Sequence, residues 1–74
     1  MRIVEDFVNQ FPKEKVLNIT PTYITIGGVN CIVRLYYSGR VQVKIDKKYT
    51  YYNVYRDSAI LKDIIEGKKP RKRK

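Results

Sequence analysis

The chain has 74 residues, a formal net charge of +9 from 16 basic and 7 acidic side chains, seven tyrosines, one cysteine and no histidine. A chain of this length makes one domain with a small core, and a lone thiol cannot close an internal disulfide. Without imidazole, and with a single cysteine, neither general-base catalysis nor metal ligation has its usual groups, and no apolar run approaches a membrane span. No enzymatic activity, cofactor, metal, small-molecule substrate or membrane partner is therefore expected. Met1 is not followed by a charged and then an apolar leader region, so the chain is expected to be unprocessed and cytoplasmic rather than secreted.

The charge is unevenly placed. Lys68, Lys69, Arg71, Lys72, Arg73 and Lys74 put six positive charges into the last seven residues, which leaves +3 for residues 1–67. Residues 1–67 are expected to form the domain and residues 68–74 a flexible, disordered basic tail. Between Val29 and Arg56 there are six basic residues and one acid, Asp46, whereas Glu5, Asp6, Asp57, Asp63 and Glu66 lie in the flanking segments. Such segregation argues for an anionic partner and is silent on fold.

In chain order, Ile3, Val4, Phe7, Val8 and Phe11 fall at helical spacing and predict a helix over 1–11, stopped by Pro12. From Val16 the apolar period changes to two. Residues 16–20 can add an extended piece, which Pro21 limits to an edge or a bend. Gly27-Gly28 suits a tight hairpin turn with positive φ, which sets Ile26 opposite Val29 and Ile24 opposite Cys31. At Tyr37-Ser38-Gly39 a two-residue loop would pair Leu35 with Gln42. A three-residue loop with Gly39 in the left-handed region instead pairs Leu35 with Val41, Val33 with Val43 and Cys31 with Ile45. A turn over residues 46–49 then sets Thr50 opposite Ile45, Tyr52 opposite Val43 and Val54 opposite Val41. Asp57 or Ser58 offers a helix N-cap, Ile60, Leu61, Ile64 and Ile65 make the apolar face that follows, and Gly67 ends the helix. The expected fold is α+β: an N-terminal helix, a four-stranded antiparallel meander and a C-terminal helix, with both helices on one face of the sheet.

Alternation then sorts the side chains. The inner face collects Ile24, Ile26, Val29, Cys31, Val33, Leu35, Val41, Val43, Ile45, Tyr52 and Val54. The outer face collects Tyr23, Thr25, Asn30, Ile32, Arg34, Tyr36, Arg40, Gln42, Lys44, Tyr51, Asn53 and Tyr55. Arginine and lysine neutralise phosphates and release counterions. Tyrosine rings stack unpaired bases, and Arg or Gln can read base edges in a major groove. The pattern therefore points to a non-enzymatic nucleic-acid-binding protein, with Arg34, Tyr36, Arg40, Gln42, Lys44, Tyr51, Asn53 and Tyr55 as contacts and the six tail cations as an electrostatic anchor. DNA is favoured over RNA, bound either as a single strand by stacking or as a duplex by sheet insertion.

Blander accounts use the same residues. One face of an antiparallel sheet ordinarily meets water, and Tyr is a common strand residue. Tyr and Arg are also enriched at protein interfaces, which supports an alternative: a small interaction or inhibitor protein of phage or mobile-element type, docking on a host protein through the tyrosine face. The tail could serve as a localisation signal or a solubilising end. Cys31 on the inner face is packing, and Gly27-Gly28 joins strands rather than opening a helix, so it is no phosphate loop. An edge strand left open, 22–26 or 50–55, would allow pairing with a second copy.

In element order, residues 29–67, three strands and a helix, resemble the arm-type DNA-binding domains of phage integrases, which lay a sheet in the major groove. Four strands followed by a helix is similar to the single-stranded-DNA-binding coactivator and PUR-repeat folds. Helix, sheet, helix resembles a double-stranded-RNA-binding domain, but the lysine cluster expected at its last helix is reduced here to Lys62.

Overall fold

The computed structural model describes residues 3–69. Its elements are α1 (Ile3–Val8), a 3-10 turn (Lys13–Lys15), β1 (Val16–Ile19), β2 (Tyr23–Gly27), β3 (Ile32–Tyr36), β4 (Arg40–Ile45), β5 (Lys48–Asn53) and α2 (Val54–Ile65). The strands form one antiparallel sheet in the order β1-β2-β3-β4-β5. The sheet thus has a fifth strand beyond the four expected. Pro21 is accommodated because it sits in the link between β1 and β2, where the Thr20 hydroxyl accepts from the amides of Thr22 (3.2 Å) and Tyr23 (3.0 Å). A bulge at Leu17 interrupts the β1–β2 register. The edges are therefore β1 and β5, and the segment 22–26 is interior, unavailable for pairing with a second copy.

One core joins both helices to one side of the sheet. Val4, Phe7, Val8 and Phe11 from α1 and its exit, and Val54, Leu61 and Ile65 from α2, pack with Ile24, Ile26, Val33, Leu35, Val41 and Val43. Val33, Leu35, Val41, Leu61 and Ile65 are fully buried. The α1 helix ends at Val8, three residues short of the predicted end, yet Phe11 still reaches the core and stacks edge-on against Phe7 at 5.4 Å.

Three connections decide the register. The β3–β4 loop is the expected one: Leu35 faces Val41, Val33 faces Val43, and Gly39 has φ 104°. The other two differ. Ile26 faces Val33, not Val29, so the β2–β3 connection runs over residues 28–31, closed by Gly28 N–H donating to the Cys31 carbonyl at 2.8 Å. Val29 leaves the inner face and is exposed, and Asn30 leaves the outer face for the loop. The cause is the end of α2: Val29 N–H donates to the Ile65 carbonyl at 3.1 Å, and a Cβ on Gly28 would strike Cys31 Sγ and lie 3.2 Å from the Ile65 backbone. Gly28 is needed for that close approach rather than for a positive φ, which among the described glycines only Gly39 and Gly67 adopt. Cys31 does not pair with Ile45; it is buried beneath this loop, and Ile45 is largely exposed.

The β4–β5 turn is two residues, Asp46-Lys47, with Asp46 at φ 56°, a conformation that Asp tolerates. Val43 consequently faces Thr50, Val41 faces Tyr52, and Tyr49 joins the strand. At the other end β5 stops at Asn53, which caps α2 in place of Asp57 or Ser58. Its Oδ1 accepts from Tyr55 N–H at 2.9 Å, and the buried Asp57 carboxylate accepts from Asn53 N–H at 3.0 Å. This reciprocal pair satisfies amides at the helix start. Asp57 itself has non-helical angles and kinks the helix there. Val54 and Tyr55 therefore belong to α2, not to the last strand. Gly67, at φ 77°, follows the C-terminal end as predicted.

Candidate nucleic-acid interface

The sheet face away from the helices is built from three strands of alternating residues. From β3 come Ile32, Arg34 and Tyr36, from β4 Arg40, Gln42 and Lys44, and from β5 Tyr49 and Tyr51. The pairings make ordered rows across the sheet. Thr25, Arg34, Gln42 and Tyr51 form one row, and Ile32, Lys44 and Tyr49 form the next. Tyr23 and Tyr36 are directly opposed, with ring centroids 5.4 Å apart and edge-on. None of the five strands carries a carboxylate. The acids Glu5 and Asp6 lie on α1, and Asp57 and Asp63 are buried in α2.

Each cation of this face lies over a phenol ring. The Arg34 guanidinium is 4.4 Å from the Tyr23 centroid, Arg40 is 5.3 Å from that of Tyr51, and the Lys44 ammonium is 5.7 Å from that of Tyr49. All three fall within the range of cation–π attraction, worth about 0.5–1 kcal/mol each at exposed sites. A guanidinium stacked on a ring keeps its in-plane N–H groups free to donate. Arg34 also donates to the Tyr36 hydroxyl at 3.5 Å, and this contact raises its pKa above the usual arginine value. Gln42 Nε2 donates to the Tyr51 hydroxyl at 3.5 Å. The long side chains are thus held against the sheet before any ligand arrives, which lowers the entropy lost on binding.

Two hollows open on this face. One, of about 390 Å³, is lined by Tyr36, Ser38, Arg40, Gln42 and Tyr51. The other, of about 260 Å³, is lined by Ile32, Arg34, Gln42, Lys44 and Tyr49. A further hollow, on the helix side between α1 and β1, is lined mainly by Val8, Val16, Ile19 and Ile24, with Lys13 as its cation and no aromatic ring.

Of the predicted contacts, Arg34, Tyr36, Arg40, Gln42, Lys44 and Tyr51 share the outer face. Asn53 lies opposite Arg40, but its side-chain oxygen is committed to the α2 cap. Tyr55 is on the first turn of α2, where its ring packs over Gly39 so closely that a Cβ there would strike it. Lys68 and Lys69 follow α2, with Lys68 N–H donating to the Asp63 carbonyl at 2.8 Å and its ammonium 3.3 Å from Glu66. Because Gly67 abuts Val29, these lysines leave the fold at the sheet end that carries Ile32, Lys44 and Tyr49. Arg71, Lys72, Arg73 and Lys74 lie outside the described residues. Tyr49 is a member of the face that sequence reasoning missed. Taking Asp46-Lys47 as a two-residue turn with a left-handed Asp would have placed it there.

Cys31 is not part of this surface. Its Sγ–H points to the Ile64 carbonyl at 3.8 Å, and burial pushes the thiol pKa up, away from the reactive thiolate. Among the described residues no helix is long and apolar enough to cross a membrane, and no three metal-ligating side chains gather. No protein-family model, curated protein or solved structure matches this chain, so the resemblances above are likenesses of element order alone.

Proposed function

We propose that this protein is a non-enzymatic nucleic-acid-binding module that uses the outer sheet face, with the basic C-terminal segment as an electrostatic anchor. The observation that carries this reading is the carboxylate-free face on which Arg34, Arg40 and Lys44 each lie over a tyrosine, on the side opposite both helices. The cations supply salt-dependent affinity for phosphates, and the rings supply stacking surfaces.

The rings favour a single strand. The three strands that carry the contacts, β3 to β5, span about 10 Å of backbone, which a B-form major groove about 12 Å wide would admit, so width does not separate the two modes. Tyr23, Tyr36, Tyr49 and Tyr51 can stack only bases that are already unpaired.

The test is fluorescence anisotropy with single-stranded DNA, duplex DNA and RNA probes over a salt series. Binding should weaken steeply with salt, and Arg34→Glu with Lys44→Glu should abolish it while the circular dichroism melt is retained. Unchanged affinity in that double variant would refute the platform. A second reading, a small interaction or inhibitor protein, draws on Leu17 and Ile32, exposed apolar side chains flanking Gly27 on the same face. It would be marked by partner binding that survives high salt and nuclease treatment.

A further inference from the structure

Strands β4 and β5 present matched pairs. Along β4 the outward residues are Arg40, Gln42 and Lys44, and along β5 they are Tyr49 and Tyr51. Arg40 partners Tyr51 and Lys44 partners Tyr49. Each pair lines its own hollow, and Gln42 is the residue common to both. Despite the overlying cations, Tyr49 and Tyr51 remain 52% and 53% exposed.

The spacing of this arrangement selects its ligand. Tyr49 and Tyr51 are one pleat repeat apart, about 6.7 Å along the strand. Stacked bases rise only about 3.4 Å per nucleotide. A duplex cannot seat successive bases on the two rings without losing its own stacking, whereas a single strand can unstack and give one base to each. Arg40 and Lys44 are two repeats apart, about 13 Å, which spans two such unstacked steps and suits the phosphates that bracket them.

We propose that β4 and β5 form a two-nucleotide site for unpaired bases, one base stacking on Tyr51 beside Arg40 and the next on Tyr49 beside Lys44, with the Gln42 amide separating them. The inference rests on the nucleic-acid reading of this face and narrows it to single strands. The chemistry is shared by DNA and RNA, since stacking uses the base and not the sugar.

The experiment measures affinities of the full chain for labelled oligothymidylate, oligouridylate and a duplex hairpin closed by a non-nucleotide linker, so that it holds no unpaired base. Tyr49→Thr and Tyr51→Thr remove the rings while keeping strand propensity, and Tyr→Phe at each position keeps the ring. Each Thr variant should lose roughly 5- to 150-fold on both single-stranded probes, the factor that one base–aromatic stack supplies, and nothing on the hairpin. The Phe variants should bind as the parent does. If the Thr variants bind single strands as the parent does while Arg40→Glu/Lys44→Glu loses all probes, the two-base site is wrong and the broader reading stands. Equal losses on single strands and hairpin would also overturn it. If the parent chain binds none of the probes, both fall.

Discussion

The same strands build both faces of the sheet, yet the two faces answer to different physics. On the helix side Val33, Leu35, Val41 and Val43 are fully or nearly fully buried, and any change of volume there is felt by both helices. On the other side Arg34 lies against Tyr23 and Tyr36, Arg40 and Gln42 against Tyr51, and Lys44 against Tyr49, through ring–cation and hydrogen-bond contacts on the side away from the helices. The inner face should therefore govern whether the chain folds, and the outer face what the folded chain touches. Substitutions can pull these two roles apart.

The widest separation is expected from the Arg34→Glu/Lys44→Glu variant, which should lose nucleic-acid binding altogether with little change in melting temperature, as read by anisotropy and circular dichroism. Leu35→Ala is its mirror image. It removes a fully buried side chain and should cost about 2–5 kcal/mol, a drop in melting temperature on the order of 10–40 °C. Whatever fraction stays folded should bind with parental affinity per folded molecule. Gly39→Ala tests the β3–β4 loop that fixes the register of both faces. The residue has φ 104° and its Cβ would strike the Tyr55 ring, so a loss of about 1–3 kcal/mol in denaturant titration is expected. Asn53→Ala removes the α2 cap and should cost about 0.5–2 kcal/mol, with outer-face binding intact. The mildest change comes from ending the chain after Lys69, which deletes Arg71, Lys72, Arg73 and Lys74. The slope of log K against log salt on single strands should become shallower by up to about 3, with binding retained.

The membership of the two faces was largely legible in the sequence, and the reason is the pleat. The expected β2–β3 register was displaced by four residues and the β4–β5 register by two, as Ile26 opposite Val33 and Val43 opposite Thr50 reveal. Both displacements are even, and an even slip leaves every side chain on its face. Arg34, Gln42 and Lys44 share a face through the β3–β4 register, which is the expected one, and the even displacements keep Tyr23 of β2 and Tyr51 of β5 on that same face. What stayed hidden depended on tertiary partners. Gly27-Gly28 looks like a tight turn until the end of α2 is brought against Gly28 and Val29. Asn53 looks like a strand residue until the Asp57 carboxylate reaches back to its amide. The strand β1 was obscured by Pro21 and by the extra residue at Leu17, and Tyr49 by a turn assumed to be two residues too long.

The most direct test of the central claim is a chemical-shift map of the full chain titrated with oligothymidylate. The outer face predicts perturbed amides at Arg34, Gln42, Lys44, Tyr49 and Tyr51, with Val4, Phe7 and Leu61 on the helix side unmoved. Shifts confined to Lys68 and Lys69, or gathered around Val8 and Ile19 between α1 and β1, would contradict it.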